Sequence, residues 1–310
     1  MEQRPRLNPL LVLAFGILAV STASIFVRYA QASAPSLVIA AWRLSLAALI
    51  LAPLALSRDR GVLRALRRND MGLALLSGLF LALHFATWIS SLEFTTVASS
   101  AVLVTTTPLW VALVSPVFLK EPITRPVMVG MILALIGGIT IGLSDTCTWQ
   151  AGGLACPGLG EVVRGRAFLG DILALAGAMF AAAYVIIGRK LRVNVTLLSY
   201  IFLVYGAAAV ILVGMMFLAG ESAFGYPPVT YVWFLLLAII PQLLGHSSFN
   251  WALKYVSAAY VSITLLGEPI GATILAYFLL DEAPTTMKVF GAILILTGIF
   301  IASRVEVKQG

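Results

Sequence analysis

The sequence predicts an all-α polytopic membrane protein, with ten transmembrane helices arranged as two inverted five-helix repeats. Composition is the first reason: of 310 residues, 61% are hydrophobic and only 11% charged, where a soluble domain carries about 25% charged residues. Second, the apolar residues form runs of 18–25, close to the roughly 20 helical residues that cross a hydrocarbon core. Barrel strands would be about ten residues long and alternate in polarity. The third reason is a register. Sliding the chain against itself by 161 residues, without gaps, puts Gly16 on Gly177, Arg28 on Arg189, Pro108 on Pro269, Glu121 on Glu282, Thr124 on Thr285, Gly130 on Gly291 and Gly137 on Gly298. Chance similarity would align leucines, not this set of Pro, Gly, Glu and Arg.

The expected spans are 10–29, 36–56, 72–91, 97–119, 126–144, 168–188, 195–218, 229–253, 258–280 and 287–304. The first repeat then covers 1–145, an external loop 146–167, and the second repeat 168–310. Because five is odd, the second repeat enters the membrane from the opposite face, an architecture typical of secondary transporters. Charge sets the orientation. With a cytoplasmic N-terminus, fifteen lysines and arginines fall on that side, many of them in the basic stretch 57–71. Only Arg28, Arg164, Arg166 and Lys288 fall on the other side, and Arg43 lies inside a span. This positive-inside bias puts both termini in the cytoplasm and the chain in a cell (inner or plasma) membrane. The net charge of +7 therefore reflects topology and not nucleic-acid binding.

Taken in order, the first span follows Arg4 and Arg6 like a signal peptide, but it is too long and Arg28 separates it from the small residues of "AQASA". It reads as a membrane helix, with Ser21 and Ser24 as minor polar candidates. The second carries Trp42 and Arg43, about seven residues deep. Arg43 could clamp a substrate carboxylate through its planar fork, or snorkel to the outer headgroups. On the third, His84 and Trp88 are four apart, so one stands above the other. A histidine there can shuttle protons and a tryptophan can stack on a ligand; the alternative for His84 is one structural interhelical hydrogen bond. The fourth span has a mid-helix Pro108, preceded by Thr107. The glycines of the fifth and tenth, Gly130, Gly137, Gly291 and Gly298, read as close helix contacts, with a homodimer surface left open. In the external loop Cys147 and Cys156 could form a disulfide; without histidines nearby they suggest no metal site.

In the second half, Tyr184 on the sixth span could supplement a site. Pro241 breaks the eighth, and Gln242, His246 and Asn250 follow at i, i+4 and i+8, lining a pathway with Trp251 adjacent. Interfacial solvation is the other reading of that stripe. The ninth span holds Glu268 deep in an apolar run, directly before Pro269. Thr264 and Gly271 share its face, and the proline weakens the preceding turn, freeing a carbonyl near Leu265 for a cavity. Ionisable groups inside spans usually face a bundle interior or a watery cavity. Glu268 could carry a coupling proton or bind a substrate ammonium; the structural alternative is an ion pair with Arg43 or a carboxyl kept protonated. Glu121 and Glu282, at the ends of the fourth and ninth spans, read as capping residues at the membrane surface.

The stretches "TTTPLWVALVSPVFLKE" (105–121) and "LLGEPIGATILAYFLLDE" (265–282), each a mid-helix proline followed 13 residues later by an acid, and "WRLSLAALIL" (42–51) resemble the drug/metabolite transporter superfamily, EamA type. That resemblance implies a gradient-coupled carrier without an ATPase, commonly exporting amino acids or other small metabolites. The residues agree in part. There is no phosphate-loop motif, and no H-E-x-x-H, paired aspartates or Ser/His/Asp set at membrane depth to suggest an enzyme. The expectation is thus a transporter working by alternating access on a small-molecule substrate, with protons and membrane lipids as partners, and with no cofactor and no metal. An importer, an uncoupled facilitator, or a membrane receptor or assembly protein without transport are the alternatives.

Overall fold

A computed structural model of the chain describes residues 7–120, 122–143, 148–150, 153–155, 165–281, 283 and 285–306. Its first half contains α1 (Pro9–Ser21), α2 (Ala23–Gln31), α3 (Ser36–Arg58), the short α4 (Arg60–Ala65), α5 (Arg68–Ser91), α6 (Val97–Val104), α7 (Thr107–Phe118) and α8 (Arg125–Leu143). A two-stranded antiparallel hairpin, β1 (Thr148–Gln150) and β2 (Gly153–Ala155), follows in the connection after α8. That hairpin is a small departure from the all-helical expectation. Cys147 and Cys156 lie outside the described residues, as do Glu121 and Glu282. The second half contains α9 (Arg166–Arg192), α10 (Leu197–Leu218), α11 (Pro228–Leu237), a π-helical segment (Ala238–His246), α12 (Ser247–Ala252), α13 (Ala258–Thr264), α14 (Glu268–Leu280) and α15 (Thr286–Glu306).

Among the described residues, eight helical stretches are long and apolar enough to cross a membrane, and two shorter apolar ones, Arg125–Thr140 and Val289–Gly298, fall where the fifth and tenth spans are expected. The chain is a multi-pass membrane protein. Large apolar side chains such as Leu11, Leu18, Val117, Val210 and Phe278 are exposed along these helices, as a surface facing hydrocarbon demands, while alanines and serines share the interior with buried Val, Leu, Ile, Phe and Tyr.

Local structure follows the 161-residue register closely. Thr96 caps α6 by accepting from the Ser99 amide, and its equivalent Ser257 caps α13 by accepting from the Tyr260 amide, the usual work of a hydroxyl N-cap. Lys120 and Asp281, also equivalent, end α7 and α14 with left-handed φ values of 58° and 55°. The helix pair α8 and α15 packs through reciprocal glycines: a methyl group on Gly137 would run into the Gly291 carbonyl, and one on Gly298 into the Gly130 carbonyl. Only glycine permits backbones to approach that closely.

The two mid-helix prolines break their helices at the same register, but the gaps are closed differently. Proline lacks the N–H that would bond the carbonyl four residues back. In the first half that carbonyl belongs to Val104, and the Thr107 hydroxyl donates to it at 2.8 Å. In the second half it belongs to Leu265, and a 3₁₀ turn (Leu265–Gly267) lets the Glu268 amide satisfy it. The expected free carbonyl near Leu265 is therefore occupied.

Pro241 does not break its helix as expected. The stretch Pro228–Ala252 is continuous, and the proline sits inside the π-helical segment, where a wider turn accommodates the lost bond.

Candidate functional site

Two groups of helices face each other across the interior. In one, α1 and α2 pack on the 228–252 stretch and on α14; this is the Glu268 wall. In the other, α9 packs on α5, α6 and α7; this is the His84 wall. Each group takes one span from one half of the chain and two from the other. Between them lies a cavity, the concave kind of site in which small molecules bind. Val20 and Ala181, Ala23 and Tyr184, Trp88 and Phe249, Val104 and Leu265, and Thr107 and Glu268 all line it, and each pair is separated by 161 residues. Arg43, from α3, completes the lining.

Two register-equivalent arginines tie the walls together. Arg28 of α2 donates to the Thr95 carbonyl at 2.9 Å, joining the Glu268 wall to the turn after α5. Arg189 of α9 donates to the Leu253 carbonyl at 2.8 Å, joining the His84 wall to the turn after α12.

Arg43 is fully buried. Its Nε donates to Gln242 Oε1 at 2.9 Å, and its guanidinium lies 4.1 Å from the Phe85 ring centroid and 5.9 Å from that of Trp88. Snorkelling is thereby excluded. The two terminal nitrogens, Nη1 and Nη2, are buried without a hydrogen-bond partner, and so is Trp88 Nε1. Among the described residues no carboxylate comes within the 4.0 Å of an ion pair with Arg43. Glu268 and Arg43 nonetheless border the same space; the alternative of a direct ion pair between them is not realised. Glu268 is the first residue of α14, and Ser21 packs behind it, donating to its backbone carbonyl at 3.4 Å.

His84 Nδ1 donates to the Gly177 carbonyl at 2.9 Å, which fixes the ring and leaves its other nitrogen as an acceptor when the ring is neutral. Its ring is nearly parallel to that of Trp88, with centroids 6.1 Å apart, and lies 6.4 Å from that of His246. Between the walls, the Tyr184 hydroxyl of α9 donates to Asn250 Oδ1 at 2.8 Å, and Asn250 Nδ2 donates to the Tyr205 hydroxyl at 3.2 Å.

The structure brings Arg43, His84, Trp88, Thr107, Tyr184, His246, Asn250 and Glu268 to one cavity. Three candidates fall elsewhere. Trp42 donates its Nε1 to the Ala223 carbonyl at 2.8 Å within an aromatic cluster with Phe224, Tyr231 and Phe234. Adjacent residues point about 100° apart on a helix, so Arg43 faces inward and Trp42 does not. Trp251 rests on Tyr255, centroids 4.6 Å apart, for the same reason beside Asn250. Gln242 is fully buried behind Arg43 and does not line the cavity. The stripe Gln242–His246–Asn250 assumed 3.6 residues per turn, and the π-helical segment turns Gln242 away from the other two. Phe85 and Tyr205 were missed. Phe85 carries a signal, since it is the register partner of His246.

The EamA-like transporter family matches this chain twice, over residues 7–143 and residues 168–304. Among curated relatives, an uncharacterized transporter YyaM of Bacillus subtilis is 23% identical over 269 residues, covering 86% of this chain and 84% of that one. The pseudopaline exporter CntI of Pseudomonas aeruginosa is 23% identical over 287 residues, covering 92% of each. A protein known from a crystal structure shares the fold with a TM-score of 0.74 and 18% identity, over 97% of this chain and 98% of that one. The chain belongs to the EamA-like transporter family, which makes it a membrane transporter.

Proposed function

We propose that this family member is a secondary active exporter of amino acids or other small metabolites, working by alternating access and coupled to protons. Its ten spans form two inverted repeats, 1–145 and 168–310, joined by the external loop 146–167, with both termini in the cytoplasm of a cell whose inner or plasma membrane holds it. The observation that carries this reading is the cavity: it lies between two walls related by the internal register and holds one carboxyl and one guanidinium that do not touch. Arg28 and Arg189 hold the same position in that register, so the inverted topology would put their ties at opposite mouths. Releasing one while keeping the other would open one mouth at a time, as alternating access requires.

Glu268 carries the coupling proton, with His84 as the second titratable group on the facing wall. Arg43, Trp88, Thr107, Tyr184, His246 and Asn250 contact the substrate. The half-helix starting at Glu268 resembles the discontinuous helices that place coupling chemistry in secondary transporters. The relative named as a pseudopaline exporter supports the outward direction. Pro108 and Pro269 act as kink points, and Cys147 with Cys156 would close the external loop. The test is flux in oriented liposomes, using a panel of labelled amino acids with and without a pH gradient. Gradient-dependent accumulation of at least one supports the reading; its absence across the panel, with orientation verified, overturns it.

A further inference from the structure

The unsatisfied polar groups at the cavity share one character. Arg43 Nη1, Arg43 Nη2 and Trp88 Nε1 are all hydrogen-bond donors, all buried, and all without a partner. Arg43 is fully buried and Trp88 only 3% exposed. An unsatisfied buried donor is costly, and an unpaired buried charge more so. The arrangement is also held in place. Gln242, inside the π-helical segment, accepts from Nε, and Phe85 backs the guanidinium face. The fork edge is what remains.

We infer that this edge, Arg43 Nη1 and Nη2, with the Trp88 ring centroid 5.9 Å from the guanidinium, is a binding site for a single substrate carboxylate. A planar two-oxygen acceptor satisfies the two terminal nitrogens at once. The Glu268 carboxyl borders the same cavity without contacting Arg43, which suits an ammonium group at the other end of the ligand. Most of the remaining lining, including Val20, Val104, Phe249 and Leu265, is apolar. The ligand class is therefore a zwitterionic α-amino acid with an apolar side chain, and amides, esters and amines lacking the carboxylate are poor ligands. This deepens the transport reading by naming the group recognised, and it rests on the cavity being the substrate site.

Binding, not flux, tests it, so that the two readings fail separately. The purified full-length protein is titrated with L-leucine, L-phenylalanine and benzoate, and with L-leucinamide, L-phenylalaninamide and benzamide, followed by intrinsic tryptophan fluorescence and thermal shift. The carboxylates are expected to bind at least about tenfold more tightly than their amides, the cost of leaving buried donors unpaired. Arg43→Lys, which keeps the charge and loses the fork, should erase most of that preference. Trp88→Phe should reduce it less. Should the Arg43 variant fail to fold, the acid-to-amide ratio in the unaltered protein and in Trp88→Phe still decides. Amides binding as well as acids, no carboxylate in the panel producing any shift, or a folded Arg43→Lys protein that keeps the preference would each overturn the site. Carboxylate-selective binding without gradient-driven flux would leave the site standing and remove proton coupling.

Discussion

At Thr107, just past the helix break of the His84 wall, the side chain is committed to the backbone: its hydroxyl donates to the Val104 carbonyl at 2.8 Å. At Glu268, the same register position in the other wall, a 3₁₀ turn closes the backbone unaided and the carboxyl is left to the cavity. A similar trade occurs at the next wall position. His84 bonds to the Gly177 carbonyl at 2.9 Å, while its counterpart Gly245 has no side chain and packs against Val20 of α1. The scaffold is thus repeated and the chemistry is not. Under the proposed alternating access, such a frame would let two walls exchange exposure between the two sides, while the charged groups, Glu268 and Arg43, occur once each. The register counterpart of Arg43 is Val204, so neither charge has an equivalent in the other half.

Moving the acid across the register tests whether that asymmetry matters. The double variant Thr107→Glu, Glu268→Thr keeps composition and pseudo-symmetry, yet should lose gradient-driven flux at least about tenfold. The displaced glutamate would lack the Thr107 hydroxyl bonds to Val104 and Ala178. Flux near that of the unaltered protein would show that the two positions are interchangeable. Symmetry of the frame is probed at the glycine pairs. Gly137→Leu and Gly298→Leu should each cost about 1–3 kcal/mol by overpacking, with similar falls in Tm; a large effect from one alone would break the equivalence of α8 and α15.

Smaller effects are expected from the polar trim. Asn250→Leu removes partners from both Tyr184 and Tyr205 and should cost about 1–3 kcal/mol, read as a shift in Tm. Thr107→Val leaves one carbonyl unsatisfied and should cost about 1 kcal/mol. Arg28→Gln and Arg189→Gln should change apparent substrate affinity in opposite directions on the two faces of the membrane, by a few-fold each. The same direction of change in both would contradict their role as ties at opposite mouths.

Much of this was legible in the sequence because lipid allows few solutions: apolar run length gave the helix boundaries, and the gap-free register gave the equivalences. Glu268, His84 and Arg43 stood out because ionisable residues in apolar runs are rare. What escaped depended on direction around a helix. Trp42 and Trp251 were grouped with their neighbours Arg43 and Asn250, though one residue along a helix points elsewhere. Gln242 was placed on a lining stripe because nothing in its local pattern announces a π-helical turn. Phe85 and Tyr205 look like ordinary aromatic residues of a membrane helix until their partners are known.

The central claim is that Glu268 couples substrate movement to protons in a cavity otherwise competent to exchange substrate. It is tested most directly by comparing Glu268→Gln with the unaltered protein in oriented liposomes, measuring both pH-gradient-driven accumulation and gradient-free counterflow of one labelled amino acid. The account expects the variant to lose accumulation and keep counterflow, with a rate independent of pH. A variant that still accumulates substrate against its gradient when driven by pH would contradict it.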